Sequence, residues 1–314
     1  MDSYYPKDFV ETTEGLIFAV VTEDQEDQRI LSSLRYQRTA NGYKKLSTDE
    51  AETLLQNSHP QYRYYSSIRD VWLHGVHQDR IVYHHQPRLR LQEILQTEPN
   101  DQIEAKLQRL IKQLKQHGLE AGEIGVTGSM LIGAQKKSSD IDLVFYQRKA
   151  FFTAREIIKT LISTQQLQPL DETLWQDAYA RRGCALSYDE YCWHENRKYN
   201  KAAIEHTKFD ISLLTPDRWQ DLIRYRKQGR FNIKANIVND RHRFDYPARY
   251  TLNHPAVKEA VSYTATYAGQ AIQGEQVEIQ GQLEVSIAGH LRIVIGTNRE
   301  ASHEYIKTVS SQHH

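Results

Sequence analysis

The sequence predicts an α+β fold: a central short mixed sheet with helices, preceded by an N-terminal α+β segment and followed by a C-terminal antiparallel β segment. Three features point there. Residues 101–117 repeat apolar side chains at helical spacing, and Gly118 ends the run. The texture then changes to strand, glycine turn and strand. Beyond residue 257, apolar and polar residues alternate with a period of two and glycines stand between the runs, as in a meander or small barrel. A chain of 314 residues has room for two or three domains. The composition shifts place an N-terminal α+β domain at 1–98, a core at 99–216, a basic helical or linker segment at 217–256 and a β-rich domain at 257–314.

In the N-terminal segment, Gly15 to Val21 reads as a buried strand and Arg29 to Arg38 as a second. Ala40-Asn41-Gly42 is a turn signal, because Asn-Gly tolerates positive φ. Ser47 and Glu50 form a capping box, so a short helix runs from there to about Gln56. Pro87 and Pro99 bracket another helical stretch. Over 101–117, Ile103, Leu107, Leu110, Ile111 and Leu114 form the apolar stripe, while Lys106, Arg109, Lys112 and Lys115 make a solvated face. Ile124 to Thr127 is a short strand, broken by Gly128-Ser129. Met130 to Ala134 suits one or two helical turns, and Ile141 to Tyr146 is the next strand. Lys149 to Thr164 and Asp171 to Arg182 read as helices, and Lys208 to Leu214 as a strand closed by Thr215-Pro216. Residues 217–228 read as helix and 229–256 as irregular. In the last segment Val261, Tyr263, Ala265 and Tyr267 share one parity. Val277 with Ile279, Leu283 with Val285 and Ile287, and Leu291 with Ile293 and Ile295 make further runs, separated by Gly274, Gly281 and Gly289.

Lys and Arg number 40 and Asp and Glu number 40, so the chain is formally neutral, which excludes a histone-like basic protein. The neutrality is a sum of unlike parts. Residues 1–28 carry one Lys against eight carboxylates, whereas residues 193–250 carry thirteen Lys and Arg against seven carboxylates. Eight Pro and 15 Gly are too few for a disordered chain. The start has no basic region leading into an apolar one, and Leu16 to Val21 is far short of the ~20 residues that span a bilayer. With only Cys184 and Cys192, reduced thiols and a cytoplasmic location are expected. His74 with His77, and the adjacent His84 and His85, lack the partners of a zinc site and read as surface or packing residues.

The chemistry concentrates in Gly128-Ser129, the pair Asp140 and Asp142 ten residues on, and Asp210 on a later strand. Carboxylates at i and i+2 on a strand share a face, so two of them can hold one divalent cation, and a third from a neighbouring strand completes an oxygen-rich site. Two such ions can bind the attacking and leaving oxygens of an in-line displacement at phosphorus. A Gly-Ser turn at a helix N-terminus offers backbone N–H groups and a hydroxyl to phosphate. Lys136 and Lys137 lie in the loop before Asp140, where they could neutralise a triphosphate. Asp240 and Asp245 are poorer alternatives to Asp210, since neither sits in an apolar strand.

Val126-Thr-Gly-Ser-Met130, Ser139-Asp-Ile-Asp-Leu143 and Phe209-Asp-Ile211 together resemble the DNA polymerase β-like nucleotidyltransferase superfamily over about residues 101–215. More loosely, the whole chain looks like the predicted nucleotidyltransferases seen mainly in archaea, which flank such a core with an N-terminal α+β and a C-terminal β segment. The resemblance implies a nucleotidyltransferase core that moves a nucleoside monophosphate from an NTP, such as ATP, to a hydroxyl and releases pyrophosphate. By it, Asp140 and Asp142 would bind two Mg²⁺ or Mn²⁺ ions, Asp210 would hold the catalytic one and help deprotonate the acceptor, and Gly128 and Ser129 would hold the β- and γ-phosphates.

The acceptor is read from the basic segment. Arg218, Arg224, Arg226, Lys227, Arg230, Lys234, Arg241, Arg243 and Arg249 alternate with Trp219, Tyr225, Phe231, Phe244, Tyr246 and Tyr250. Cations neutralise phosphates while rings stack on bases, so the texture suits RNA, a tRNA included. Arg197, Lys198 and Lys201, upstream of Asp210, and Arg224 and Arg226, downstream of it, are further candidate contacts to phosphate or acceptor. Transfer of AMP or UMP to a protein hydroxyl, and a non-catalytic RNA-binding protein with a vestigial core, are the alternatives.

Overall fold

Period-two alternation in the first 85 residues builds a seven-stranded antiparallel sheet. The computed structural model describes residues 3–120, 124–215, 223–297 and 301–309. They fall into two compact units, residues 1–154 with 204–212 and residues 155–203 with 213–314.

The first unit opens with β1 (Phe9–Thr12), β2 (Leu16–Glu26), β3 (Arg29–Thr39) and β4 (Gly42–Lys45). Helix α1 (Thr48–Ser58) follows, its Ser47–Glu50 capping box formed as expected. Then come β5 (Arg63–Ser66), β6 (Val71–His77) and β7 (Ile81–His85). The strand order is β5-β6-β3-β2-β1-β7, with β4 on β3. Alternate residues serve opposite faces. Leu16, Phe18 and Val20 pack with Ala51, Leu55 and Tyr62 on one side. On the other, Phe9, Ile17 and Tyr36 receive Leu131 and Ile132 from the loop that carries the Gly-Ser turn.

The same unit continues through α2 (Pro87–Gln96) and α3 (Gln102–Gln116). Asp101 caps α3 by accepting from the N–H groups of Ile103 and Glu104 at 2.8 and 2.9 Å. Ile103, Leu107, Leu110, Ile111 and Leu114 are all buried, as their spacing predicts. Part of the expected solvated face is tied down instead. Lys106 donates to the Glu205 carbonyl and the Thr207 hydroxyl, and Arg109 grips the Glu205 carboxylate through two nitrogens. Strands β8 (Ile124–Thr127) and β9 (Ile141–Phe145) pair antiparallel, and α4 (Arg148–Ser163) leads the chain out of the unit. It returns from β10 (Lys201–Ile204) through a two-residue turn into β11 (Thr207–Leu213), which lies beside β9, giving the order β11-β9-β8.

In the second unit, α5 (Glu172–Arg182) is capped by Asp171, and α6 (Tyr188–Asn196) carries a Ser187–Glu190 capping box. The remainder is a barrel of β12 (Tyr225–Asn239), β13 (Ala248–Asn253), β14 (Glu259–Ser262), β15 (Gln276–Ser286) and β16 (Leu291–Ile295), with β17 (Tyr305–Thr308) added on β15. Ile233, Ala235 and Ile237 of β12 face inward with Tyr250, Leu252, Val277, Ile279, Ile293 and Ile295, and Trp175 and Tyr191 of the helices complete this core.

Two sequence expectations change here. Residues 225–228, expected helical, open the fifteen-residue strand β12, while 216–222 lie outside the described residues. The stretch 229–256, expected irregular, is mostly β12 and β13. The polar run from Arg226 to Asn232 hides the alternation of β12, whose partner β15 comes some forty residues later. Gly281 also does not separate two strands but sits inside β15. A Cβ there would lie 2.4 Å from the Val294 carbonyl oxygen, so the glycine permits close approach of β16. Both cysteines are free thiols, and burial raises the pKa of each. No helix among the described residues is long and apolar enough to cross a membrane.

Candidate active site

The β8–β9 pairing places Thr127 opposite Asp142, so the Gly-Ser turn that follows Thr127 begins beside that carboxylate. Gly128 has φ +67°, and a Cβ on it would stand 2.4 Å from Asp142 Oδ2. The backbone of the turn therefore rests on Asp142, a closeness and a left-handed conformation that only glycine supplies without strain. Residues 128–132 form a short 3-10 turn ended by Gly133 at φ +66°. Arg90 braces it, donating to the Met130 carbonyl at 3.2 Å and to the fully buried Glu104 at 2.6 Å. Gly125 lets β8 approach α2, since a Cβ there would meet Pro87 at 2.6 Å.

Asp140, Asp142 and Asp210 come together in this unit around a cation that the sequence pattern did not single out. Lys208 Nζ lies 2.9 Å from Asp140 Oδ2 and 2.8 Å from Asp210 Oδ2. Its side chain is 5% exposed and those two carboxylates 18%. Burial pulls the Lys208 pKa down, but the two carboxylates more than offset this and the net shift is upward. Asp142 is pushed above the usual carboxylate range, first by burial and then by Asp210, with Lys208 opposing and Asp140 reinforcing. Lys208 and Asp210 are two apart on β11 and so share a face. That parity is the sequence signal for Lys208.

Lys7 was also missed. Its carbonyl accepts from Thr127 Oγ1 at 2.8 Å, and its charge acts on Asp142. It lies in the most acidic stretch of the chain, where a single lysine gives no local pattern. Ser129 is half-buried in the turn, and Lys136 and Lys137 are exposed in the loop leading to Asp140.

The donor set consists of carboxylate oxygens already organised about one positive charge, which fits a hard divalent cation. Among the described residues no group of three His, Cys, Asp or Glu side chains stands ready-made as a metal cage. The Lys208 ammonium occupies the space between Asp140 and Asp210, and it would have to turn aside for an ion to bridge them.

The remaining candidates lie in the second unit. Arg197 pairs with Glu275 and stacks on Trp193. Lys198 is fully buried, bonded to Glu195 and to the Thr266 carbonyl, and burial lowers its pKa to about 8. Lys201 is buried on the other oxygen of Glu195. Lys198 and Lys201 are thus spent on an internal carboxylate rather than offered to a phosphate. Arg224 and Arg226 are exposed. Asp245 is bonded to His242 and Asp240 to Arg243.

Residues 107–214 match the model of the nucleotidyltransferase domain, which spans β8, the Gly-Ser turn, β9 and β11. The chain belongs to the nucleotidyltransferase-domain family. Its likeness to one relative runs end to end: uncharacterized protein MJ1086 of Methanocaldococcus jannaschii is 34% identical over 344 aligned residues, which take in 96% of this chain and 98% of that one. No solved structure matches it. This nucleotidyltransferase is therefore an enzyme of NTP chemistry, with the matched residues enclosing all three aspartates.

Proposed function

We propose that this nucleotidyltransferase transfers a nucleoside monophosphate from an NTP to a hydroxyl of RNA, with two divalent ions, Mg²⁺ or Mn²⁺, at Asp140, Asp142 and Asp210. The observation that carries the reading is the gathering of Asp140 and Asp210 on Lys208, with Asp142 packed against the Gly128-Ser129 turn. Bound ions would supply charge neutralisation at the triphosphate and a more acidic acceptor hydroxyl. Asp140 and Asp142 would hold them, and Asp210 would hold the catalytic one.

The chain's own groups have defined tasks. The N–H groups of Gly128 and Ser129 and the Ser129 hydroxyl orient the β- and γ-phosphates. Lys136 and Lys137, exposed beside the turn, neutralise the phosphate tail. The acceptor oxygen forms a bond to the α-phosphorus, the bond from that phosphorus to the bridging oxygen breaks, and pyrophosphate leaves with the electron pair. Asp210, which accepts from Lys208 Nζ at 2.8 Å, takes the acceptor proton. Arg224 and Arg226, exposed at the start of β12, support a polyanionic acceptor such as a tRNA.

The test is to incubate the full chain with each α-labelled NTP, Mg²⁺ or Mn²⁺, and total cellular RNA or protein. Label in RNA is expected, and the Asp140→Ala, Asp142→Ala double variant should lose it while remaining folded. Label in protein instead would replace the RNA acceptor with a protein hydroxyl. Full activity of the double variant would overturn the site.

A further inference from the structure

The barrel of the second unit closes in the order β12-β13-β14-β16-β15 and back to β12. β12 with β13, β13 with β14, β15 with β16 and β12 with β15 are antiparallel, and β14 with β16 is parallel. Counted within the barrel, the order is one-two-three-five-four-one, with the third and fifth strands parallel. That is the connectivity of the oligonucleotide- and oligosaccharide-binding (OB) barrel. The first strand behaves as it does in such barrels. Residues 225–236 pair with β15 and 236–239 with β13, and a bulge at Gln228, followed by Gly229 at φ +113°, bends it between. The fold alone does not give a ligand, so the surface has to.

The second and third strands, the usual binding face of such a barrel, are partly covered in this one and offer no unpaired cation on Arg249. Arg249 is paired with Glu259, and Val261 is fully buried. The first strand is open. From Arg226 to Asn232 seven consecutive residues are exposed, and among the described strands nothing pairs with them on the side away from β15. Over 225–239 there are four cations, Arg226, Lys227, Arg230 and Lys234, and no carboxylate. Lys227 and Arg230 enter no ion pair among the described residues. Phe231, opposite Gly281, is 41% exposed, and Ile287, one residue past the partner of Tyr225, is 94% exposed. Arg230 and Phe231 are neighbours on this edge and point to opposite faces, so a single strand that follows the edge can lay phosphates on the cations and stack a base on the ring.

We propose that β12 and the β15–β16 loop form a track for single-stranded RNA, with phosphates on Arg226, Lys227 and Arg230 and a base on Phe231. The eight steps from Arg226 to Lys234 extend about 26 Å, room for the several nucleotides that one such barrel holds. The RNA identity rests on the acceptor reading above. A single strand is favoured over a duplex because a stacking ring needs an unpaired base face.

The test is fluorescence anisotropy of the full chain with a fluorescein-labelled twelve-nucleotide oligouridylate, without NTP or divalent ion. Phe231→Leu should raise Kd about 5- to 150-fold, the worth of one stacked base. Lys227→Ala with Arg230→Ala should lower the slope of log affinity against log salt by about 1.4, two phosphates' worth on a single strand. Thr251→Ala with Asn253→Ala, on the outer side of β13, should leave Kd unchanged, and all variants should keep the parent Tm. Unchanged binding in the β12 variants, loss in the β13 variant, or equal affinity for a duplex of the same length would overturn the proposal. The Asp140→Ala, Asp142→Ala variant separates it from the acceptor reading. That variant should bind the oligomer as the parent does. If RNA is never labelled yet the β12 variants lose binding, the acceptor reading fails and this track stands. If RNA is labelled equally by parent and β12 variants, the track fails and the acceptor reading stands.

Discussion

Gly128→Ala separates the catalytic from the structural part of the Gly-Ser turn, because the loop contains its own control. Gly128 and Gly133 have φ +67° and +66°. An L residue in that conformation costs roughly 1–2 kcal/mol at either position. They differ in what a methyl group would meet: at Gly128 it comes 2.4 Å from Asp142 Oδ2, and at Gly133 nothing lies within 4 Å. The clash at Gly128 involves the end of a side chain, which can swing away, so both variants should lose a similar few degrees of Tm. Their activities should part. Relief of the clash moves the Asp142 carboxylate by about an ångström, and a displacement of that size at reacting groups costs on the order of a hundredfold in rate. Steady-state transfer of an α-labelled NTP, beside differential scanning fluorimetry, reads both quantities. Equal activity in the two alanine variants would refute the idea that the turn's backbone sets the position of Asp142, and with it the reason for a glycine at 128.

Lys208→Met leaves Asp140, Asp142 and Asp210 together without their cation. Metal-free Tm should fall by the equivalent of about 3 kcal/mol, the low end of breaking a buried ion pair because the partners keep some exposure. Added Mn²⁺ should then raise Tm by more in the variant than in the parent, and a metal-free Tm equal to the parent's would count against Lys208 as the site's internal counter-ion. In the second unit, burial lowers the His194 pKa to about 3, with Lys198 and Arg197 adding to it. The unfolded chain takes a proton near pH 6.5 that the folded one refuses, so this residue's share of stability is complete above that pH and drains away from about 6.5 toward 3. Denaturant midpoints of parent and His194→Gln across that range should converge as pH falls. Parallel curves would mean that His194 does not titrate on unfolding.

Legibility in the sequence followed the range of the interaction. Elements with local signatures were readable: the Ser47–Glu50 box, the Asp101 cap and the 3.6-residue stripe of α3 each lie within one or two turns of chain. The three aspartates were readable because two share a strand and the third lies in an apolar frame. What holds them was not. Lys208 pairs with a carboxylate 68 residues earlier, and Thr127 fixes the loop of Lys7 from 120 residues away. Strand β12 failed for the same reason, since residues 225–236 find their partner in β15, beyond residue 275, and the run from Arg226 to Asn232 is almost wholly polar.

The cations show most sharply why a pattern of charges differs from a surface. The run from 193 to 250 reads as one basic segment, yet it divides by burial into two kinds of residue. Lys198 and Lys201 come before β11 and sit in the interior, where the ~2 pKa of Glu195 reflects how fully both are used. Burial works against that carboxylate's charge, and the two ammonium groups reverse it. Lys227 and Arg230 come after β11, on a strand exposed over seven residues, and among the described residues they enter no ion pair. A buried cation is already neutralised and can recruit nothing, whereas an exposed and unpaired one keeps its field for a polyanion. The acceptor surface of this nucleotidyltransferase should therefore be sought on β12, and Lys198 and Lys201 belong to the stability of the unit that presents it.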